Sequence, residues 1–192
     1  MKIRKARIED SKDIAALLML AMDQIVFDFI GDSSVEKAIG FLESLVCMEA
    51  NQYSYENCWV AEIGDEIIAM ANVYDGSELH RLRAPVTEKI AAMFKKGFNP
   101  EDETQSGEIY IDSLGVRTDW QGKGIGSIML NFLISQYVNK LNRTIGLLVD
   151  MDNGNAKRLY ARLGFAKVGE KQLSGKKMEH LQINVAMRLN NV

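Results

Sequence analysis

The sequence predicts a mixed α/β (α+β) fold in a single domain. With 192 residues, of which 47% are hydrophobic and 26% charged, the chain is long enough to bury one good core. Strand-like alternation and helical spacing follow each other in the order β-α-α-β-β-β-α-β-α-β-β. A glycine-rich stretch joins one strand directly to a helix, and neither a linker nor a repeat divides the chain. We therefore expect residues 1–192 to form one domain.

The first predicted elements are a strand and two helices. Residues 2–8 alternate in polarity, which predicts a strand, and Asp10 or Ser11 caps the helix that follows. A second helix is predicted to start at Ser33, where Glu36 completes a capping box. The apolar residues that share one face of the first helix are Ile14, Leu17, Leu18 and Ala21. This face indicates packing against a core.

A hairpin and an interruption occupy the middle of the chain. Strands at 58–63 and 66–74 flank a turn formed by Gly64 and Asp65. Residues 76–105 then break the pattern. This interruption contains a predicted short helix, 86–95, which follows Pro85, and then a polar loop, 99–107. Polar loops of this length hold function or disorder more often than core.

The second half of the chain returns to regular alternation. A strand is predicted at 108–116, and an apolar strand at 144–149. Asn153 caps a helix that runs to Leu163 and ends at Gly164. Two further strands, predicted near 166–171 and 179–189, close the chain.

The glycine-rich stretch from Gln121 to Gly126 indicates a phosphate site. A turn that leads a strand into a helix gathers unpaired backbone N–H groups at the positive end of the helix dipole. The spacing excludes a P-loop, because Lys123 is followed by Gly124 rather than by Ser or Thr. It also excludes a dinucleotide fingerprint, because Ser127 stands in the place of the third glycine.

Two blocks of sequence resemble the GNAT superfamily of N-acetyltransferases, which use acetyl-CoA. In the block 114–130, Gln121, Gly124 and Gly126 fill the fixed places of the family's CoA motif. The block 153–165 resembles the family's downstream pattern of Asn, then Ala, Leu and Tyr, and a closing Gly and Phe. The resemblance implies a GNAT-like acyl-CoA N-acyltransferase fold with a mixed, mostly antiparallel sheet, flanking helices and two splayed central strands.

The resemblance also implies where acetyl-CoA binds. Backbone N–H groups of the glycine-rich turn would wrap the pyrophosphate, and those near Leu114 and Val116 would bind the pantetheine arm in the gap between the splayed strands. Asn153 caps its helix and, in the family, also approaches the arm. Gly115 is either the site of a bulge or a buried strand glycine. The residues expected to bind acetyl-CoA are Leu114, Val116, Gln121, Gly122, Lys123, Gly124, Ile125, Gly126, Ser127 and Asn153.

Direct attack of an amine on the thioester needs a group that accepts a proton and a group that donates one. An alkylammonium with a pKa of about 10.4 loses its proton at pH 7 at a cost of about 4 to 5 kcal/mol. Strand alternation places Glu108, Tyr110 and Asp112 on one face; we expect Asp112 to be the base and Glu108 to lie on the rim. Tyr160, at the family's tyrosine position, is the candidate acid, with a packed tyrosine as the alternative.

These observations predict an N-acetyltransferase that acts on a primary amine of a small molecule or peptide in a ternary complex, without a metal. Residues 76–105 form the expected acceptor-specificity segment. The alternative is an acyl-CoA-binding regulatory or interaction module of the same fold. A longer acyl group or an oxygen acceptor would leave the CoA motif unchanged.

Composition and charge indicate the expected surroundings. The net charge of −3 disfavours a nucleic-acid partner and slightly favours a cationic acceptor. The charged N-terminus, the short apolar runs and the spacing of Cys47 and Cys58 predict a soluble, cytoplasmic, reduced protein without a membrane contact. A homodimer could form through a sheet edge or through the apolar C-terminal strand, which contains Ile183, Val185, Met187 and Leu189.

Overall fold

A mixed sheet of seven strands organises the computed structural model, which describes residues 1–189. The strands are β1 Lys2–Lys5, β2 Cys58–Ile63, β3 Glu66–Asp75, β4 Glu108–Val116, β5 Thr144–Asp150, β6 Ala166–Leu173 and β7 Lys176–Ile183. They lie in the order β1-β2-β3-β4-β5-β7-β6. Neighbouring strands are antiparallel except for β4 and β5, which are parallel. The expected hairpin is β2 and β3, and the predicted 108–116 strand is β4.

Helices cover both faces of this sheet. They are α1 Ser11–Met22, α2 Gln24–Ile30, α3 Val35–Val46, α4 Leu79–Phe94, α5 Ile125–Leu133, α6 Gly154–Arg162 and α7 Val185–Leu189. Helix α5 continues as a π-helical segment, Ile134–Lys140. One apolar cluster packs α1 to α4 against the sheet, and a second packs α5 and α6 against its other face. Each face of the sheet therefore has its own core, as expected when helices bury their apolar stripes on both sides.

Two predicted helix starts are wrong, and one helix was not predicted. Helix α4 begins at Leu79 rather than after Pro85, because Leu79 and Leu82 are buried in a small cluster with two strand tyrosines, and this packing outweighs the proline. Helix α3 is capped by Ser34, whose hydroxyl accepts from the Lys37 N–H, so Ser33 and Glu36 form no capping box. In addition, the sequence did not predict α2.

The last predicted strand, 179–189, is also too long. Strand β7 ends at Ile183, and the chain then turns into α7. The Asn184 side chain accepts a hydrogen bond from the Met187 N–H at 2.9 Å and so caps that helix. The expected dimer strand therefore retains only Ile183, which is fully buried in the core.

A bulge and a buried glycine in β4 shape the middle of the sheet. The register with β3 shifts between Asn72 and Val73, which leaves Asp112 as the extra, bulged residue. Gly115 keeps regular pairing, so it is the buried strand glycine and not the bulge. A Cβ atom at Gly115 would lie 2.4 Å from the Leu17 carbonyl oxygen, so the missing side chain lets α1 approach the sheet.

Strands β4 and β5 separate soon after they meet. Their parallel pairing joins only Glu108–Tyr110 to Thr144–Gly146, although β4 runs on to Val116 and β5 to Asp150. The remaining edges of both strands face each other without pairing, which leaves a gap between them.

Candidate active site

A cavity of about 250 Å³ lies where β4 and β5 separate. Its lining includes Ser113 from β4 and Val149 from β5, together with residues of α1, α2, α4, α6 and the segment 95–107. The two predicted catalytic residues, Asp112 and Tyr160, both line it. The fold thus brings together two side chains that the sequence alone could only suggest separately.

Asp112 lies at the bulge in β4, and its side chain lines the cavity together with Tyr110 and Ser113. Its Oδ2 atom accepts hydrogen bonds from Gln52 Nε2 at 2.8 Å and from the Tyr74 hydroxyl at 3.1 Å. Its Oδ1 atom accepts from the Ser113 hydroxyl at 2.9 Å. Burial raises the pKa of Asp112, and the bonds from Gln52, Ser113 and Tyr74 act in the opposite direction.

Glu103 is a second carboxylate in the same place, and the sequence did not single it out. Its Oε1 atom accepts from Gln52 Nε2 at 2.8 Å and from Arg83 at 2.9 Å. Burial, and then the charge of Asp112, raise the pKa of Glu103 to about 7, against the effect of Arg83. Asp112 and Glu103, bridged by one amide group, are called the carboxylate pair below.

Buried polar contacts hold the loop that carries Glu103. Arg83 donates to the Pro100 carbonyl at 3.2 Å. Lys171 donates to the Thr104 carbonyl at 2.7 Å, and the Thr104 hydroxyl donates to the Gly76 carbonyl at 2.7 Å. The loop is therefore fixed at several points on either side of Glu103. Its polar composition was the only sequence signal for this site.

The sequence predicted that Glu108 lies on the rim of the site. This prediction is wrong, because the side chain is fully buried (0% exposed). Its Oε2 atom lies 2.8 Å from His180 Nε2 and accepts from Gln182 Nε2 at 2.6 Å, while Oε1 accepts from the Gln105 N–H. A Cβ atom at Gly146 would lie 1.9 Å from this carboxylate. Glu108 therefore joins β4, β7 and the end of the loop, in a space that a glycine on β5 leaves open.

Tyr160 extends from α6 into the cavity. Its ring packs edge-on against Phe165, with 5.7 Å between ring centroids, and its hydroxyl has no hydrogen-bond partner within residues 1–189. Burial raises the pKa of Tyr160, so the phenol stays protonated at neutral pH. Asn153 Oδ1 accepts from the Ala156 N–H at 3.0 Å, which caps α6, and Asn153 also lines the cavity.

The glycine-rich turn leaves open space in front of α5. Gly122 and Gly124 have positive φ angles of 73° and 80°, which glycine adopts without strain. A Cβ atom at either position would meet nothing within 4 Å. The N–H groups of Ile125, Gly126 and Ser127, in the first turn of α5, have no acceptor within the helix. The turn therefore offers backbone donors and the room for a group to approach them.

The side chains of the turn connect it to its surroundings. Gln121 Nε2 donates to the Val116 carbonyl at 3.0 Å, so the turn is tied to the end of β4. The Lys123 ammonium lies 4.7 Å from the centroid of the Trp120 ring and is otherwise exposed.

The unpaired edge of β4 presents backbone donors to the gap. The Arg117 N–H donates to the Ile68 carbonyl of β3 at 2.9 Å. Because successive N–H groups of a strand point to opposite sides, those of Val116 and Leu114 are directed away from β3 and toward the gap.

Neither a metal-binding cluster nor a membrane-spanning helix occurs among residues 1–189. No cluster of three or more His, Cys, Asp or Glu side chains among them is arranged to hold a metal ion. No helix within 1–189 combines the length and the apolar composition needed to cross a membrane.

Comparison with known protein families shows the family to which the chain belongs. The model of the Acetyltransferase (GNAT) family matches residues 34–165, which is more than half of the chain. The chain belongs to the GNAT acetyltransferase family. The resemblance stated from the two sequence blocks is thus confirmed.

Two curated acetyltransferases are similar in sequence to parts of this GNAT protein. The spermine/spermidine N(1)-acetyltransferase of Bacillus subtilis (strain 168) is 35% identical over 86 residues, which are 43% of this chain and 56% of that enzyme. A mycothiol acetyltransferase of Corynebacterium aurimucosum is 33% identical over 69 residues, 36% of this chain and 22% of that enzyme. The chain therefore spans about half the length of the first relative and less than a quarter of the second.

Solved structures confirm the GNAT fold over nearly the whole chain. The crystal structure of an acetyltransferase has a TM-score of 0.80 at 28% identity, covering 96% of this chain and all of that one. An N-acetyltransferase from Staphylococcus aureus Mu50 has a TM-score of 0.78 at 20% identity, with 95% and 100% covered. The predicted mixed sheet with flanking helices is therefore confirmed.

Proposed function

We propose that this chain is an N-acetyltransferase that moves an acetyl group from acetyl-CoA to a primary amine of a small molecule or peptide, by direct attack in a ternary complex. One observation carries this proposal. A single cavity at the separation of β4 and β5 contains two carboxylates, Asp112 and Glu103, and the phenol of Tyr160. These groups supply a proton acceptor and a proton donor within the lining of one space.

The backbone of the glycine-rich turn and of the end of β4 suits the donor used by the family. Gln121 to Ser127 would hold the pyrophosphate of acetyl-CoA, because their N–H groups gather at the helix start and Gly122 and Gly124 leave room. The N–H groups of Leu114 and Val116 would bind the pantetheine arm as an added strand does. Asn153 would contact the arm where it enters the cavity.

The carboxylate pair would receive the acceptor as an ammonium ion. When both carboxylates are ionised, Arg83 balances only one of the two charges, so the buried site retains one negative charge. An entering ammonium neutralises this charge. The pair, in which burial raises the pKa of both carboxyls, then takes the proton and frees the lone pair, a step that costs about 4 to 5 kcal/mol in water.

Tyr160 would act at the other end of the reaction. The amine nitrogen forms a bond to the carbonyl carbon of the thioester, and the carbon–sulfur bond breaks, with its electron pair leaving on sulfur. The sulfur leaves as a thiolate, and the Tyr160 phenol, which burial keeps protonated by raising its pKa, is the proton donor in the same cavity. The ammonium gives one proton to the carboxylate pair before the attack, and the nitrogen loses a second proton as the amide forms. This second proton returns through solvent to the Tyr160 phenolate, and the pair releases its proton to solvent, so the net reaction yields the amide, the thiol and one proton.

A thiol-release assay tests this proposal. The purified protein is incubated with acetyl-CoA and polyamines, amino acids, aminoglycosides, peptides or simple amines, while calorimetry measures acetyl-CoA binding separately. We expect thiol release that depends on an amine, with one acetylated amine detected by mass spectrometry for each thiol. Tight acetyl-CoA binding without release on any acceptor would contradict an enzyme and support a binding module.

A further inference from the structure

The cavity has a charged floor and an apolar wall. The name floor is used for the carboxylate pair and Arg83, which line the cavity and are joined by the Gln52 and Arg83 hydrogen bonds. The apolar wall consists of Met22, Ile25, Phe29 and Phe98, which come from α1, α2 and the segment 95–107. The rings of Phe29 and Phe98 pack edge to face, with 4.5 Å between their centroids. A ligand whose amino group rests on the floor therefore has the rest of its body near aliphatic and aromatic side chains.

From this arrangement we infer that the acceptor is a small primary monoamine whose amino group is attached to an apolar body, and that the apolar wall selects it over diamines and polyamines. This inference rests on the proposed acetyl transfer and specifies its acceptor.

The size of the cavity limits the acceptor. One water molecule occupies about 30 Å³ of the liquid. A cavity of about 250 Å³ thus holds the equivalent of roughly eight waters, and the acetyl end of the donor shares this space. A short amine fits, whereas an aminoglycoside would not enter whole.

A second ammonium group would find no partner at the apolar wall. Among the described residues that line the cavity, the carboxylates are the pair and Asp150, and Asp150 already lies 3.6 Å from Lys176. An unpaired ammonium held there would lose its hydration without compensation, whereas a methyl or phenyl group would gain from burial.

Two other acids lie near the wall. Asp28 and Glu101 line an adjoining groove, which shares Phe29 and Phe98 with the cavity, but both are exposed to solvent. If the acceptor were a diamine or polyamine, these two carboxylates would bind its second ammonium group.

A matched pair of acceptors separates the two possibilities. Hexylamine and 1,5-diaminopentane have the same chain length and differ by a terminal methyl or ammonium group. With saturating acetyl-CoA, we expect kcat/KM for hexylamine to be higher by about tenfold or more, and 2-phenylethylamine to be a substrate. Equal or faster turnover of 1,5-diaminopentane or spermidine would overturn the inference and leave the proposed function intact. Failure of every amine, with acetyl-CoA bound, would overturn both.

Placing a carboxylate on the wall tests its role directly. Phe98→Glu should raise the ratio of kcat/KM for 1,5-diaminopentane over hexylamine by about tenfold or more, while Phe98→Leu should leave it near the wild-type ratio. Met93→Glu is the matched control, since it adds the same charge on α4 at a side chain that is 50% exposed and outside the cavity lining. If Phe98→Glu does not fold, Ile25→Glu provides the same test. An unchanged ratio in a folded wall variant would contradict selection by the wall.

Discussion

Glu103 illustrates how much a single side chain depends on remote partners. It lies in an irregular loop and is only 8% exposed, and its carboxylate contacts Gln52 and Arg83. Both partners come from other parts of the chain, before β2 and within α4. The sequence could therefore indicate a functional loop but not which of its acids turns inward.

The raised pKa of Glu103 predicts a pH-dependent contribution to stability. Its value of about 7 lies above the value of about 4.3 in an unfolded chain, so the folded state holds the proton over a pH range where the unfolded state has lost it. This contribution is fully present below about pH 4.3 and is lost as the pH rises through about 7. Relative to Glu103→Gln, the wild type should lose about 3 kcal/mol of unfolding free energy between pH 4.5 and pH 8. Urea unfolding of both proteins measures this change. A difference that stays constant across the range would show that the pKa is not raised.

Tyr160 provides a second prediction at the residue scale. Tyr160→Phe removes the proposed acid but keeps the ring that packs against Phe165. We expect turnover to fall by about 100-fold, which is typical of a lost general acid, while the acetyl-CoA affinity measured by calorimetry changes little. Unaltered turnover would assign Tyr160 to packing, the alternative that its apolar neighbours suggest.

At the scale of elements, the sequence pattern located those helices and strands whose ends are set by neighbouring residues. The β2–β3 hairpin, β4 and α6 have regular alternation, helical spacing or a clear cap, and the sequence located them closely. The start of α4 and the end of β7 depend on packing and on a cap at Asn184, so they were misplaced. The bulge at Asp112 depends on pairing with β3, which a single strand sequence does not show.

The contact between α1 and β4 gives a prediction for this scale. Gly115→Ala would place a Cβ atom 2.4 Å from the Leu17 carbonyl, so α1 must shift, and we expect a loss of about 2 to 3 kcal/mol. Gly126→Ala is the matched control. Its Cβ atom would make only an ordinary contact, 3.7 Å from Leu114, so its stability should stay equal or rise by up to about 1 kcal/mol. The urea midpoints of the two variants measure the difference, and equal stability of both would refute the close-approach argument.

At the scale of the whole molecule, the site depends on how separate elements meet. The glycine-rich turn and the Asn153 helix could be predicted as a donor site because both are continuous in sequence. The proposed acceptor side combines α1, α2, the segment before β2, α4 and the 95–107 segment, and no motif connects these parts. The sheet brings them together where β4 and β5 separate. The proposed acceptor class could therefore be inferred only from the structure and not from the sequence.

The pH dependence of kcat/KM, compared between wild type and Asp112→Asn, tests the central proposal most directly. If the carboxylate pair accepts the proton of a bound ammonium, the wild-type profile should rise with an apparent pKa near 7 and fall near the pKa of the amine. Asp112→Asn should lower the rate and move the remaining lower limb to more acidic pH, because the charge of Asp112 no longer raises the pKa of Glu103. An unchanged rate with an unchanged profile would contradict the proposed role of the carboxylate pair.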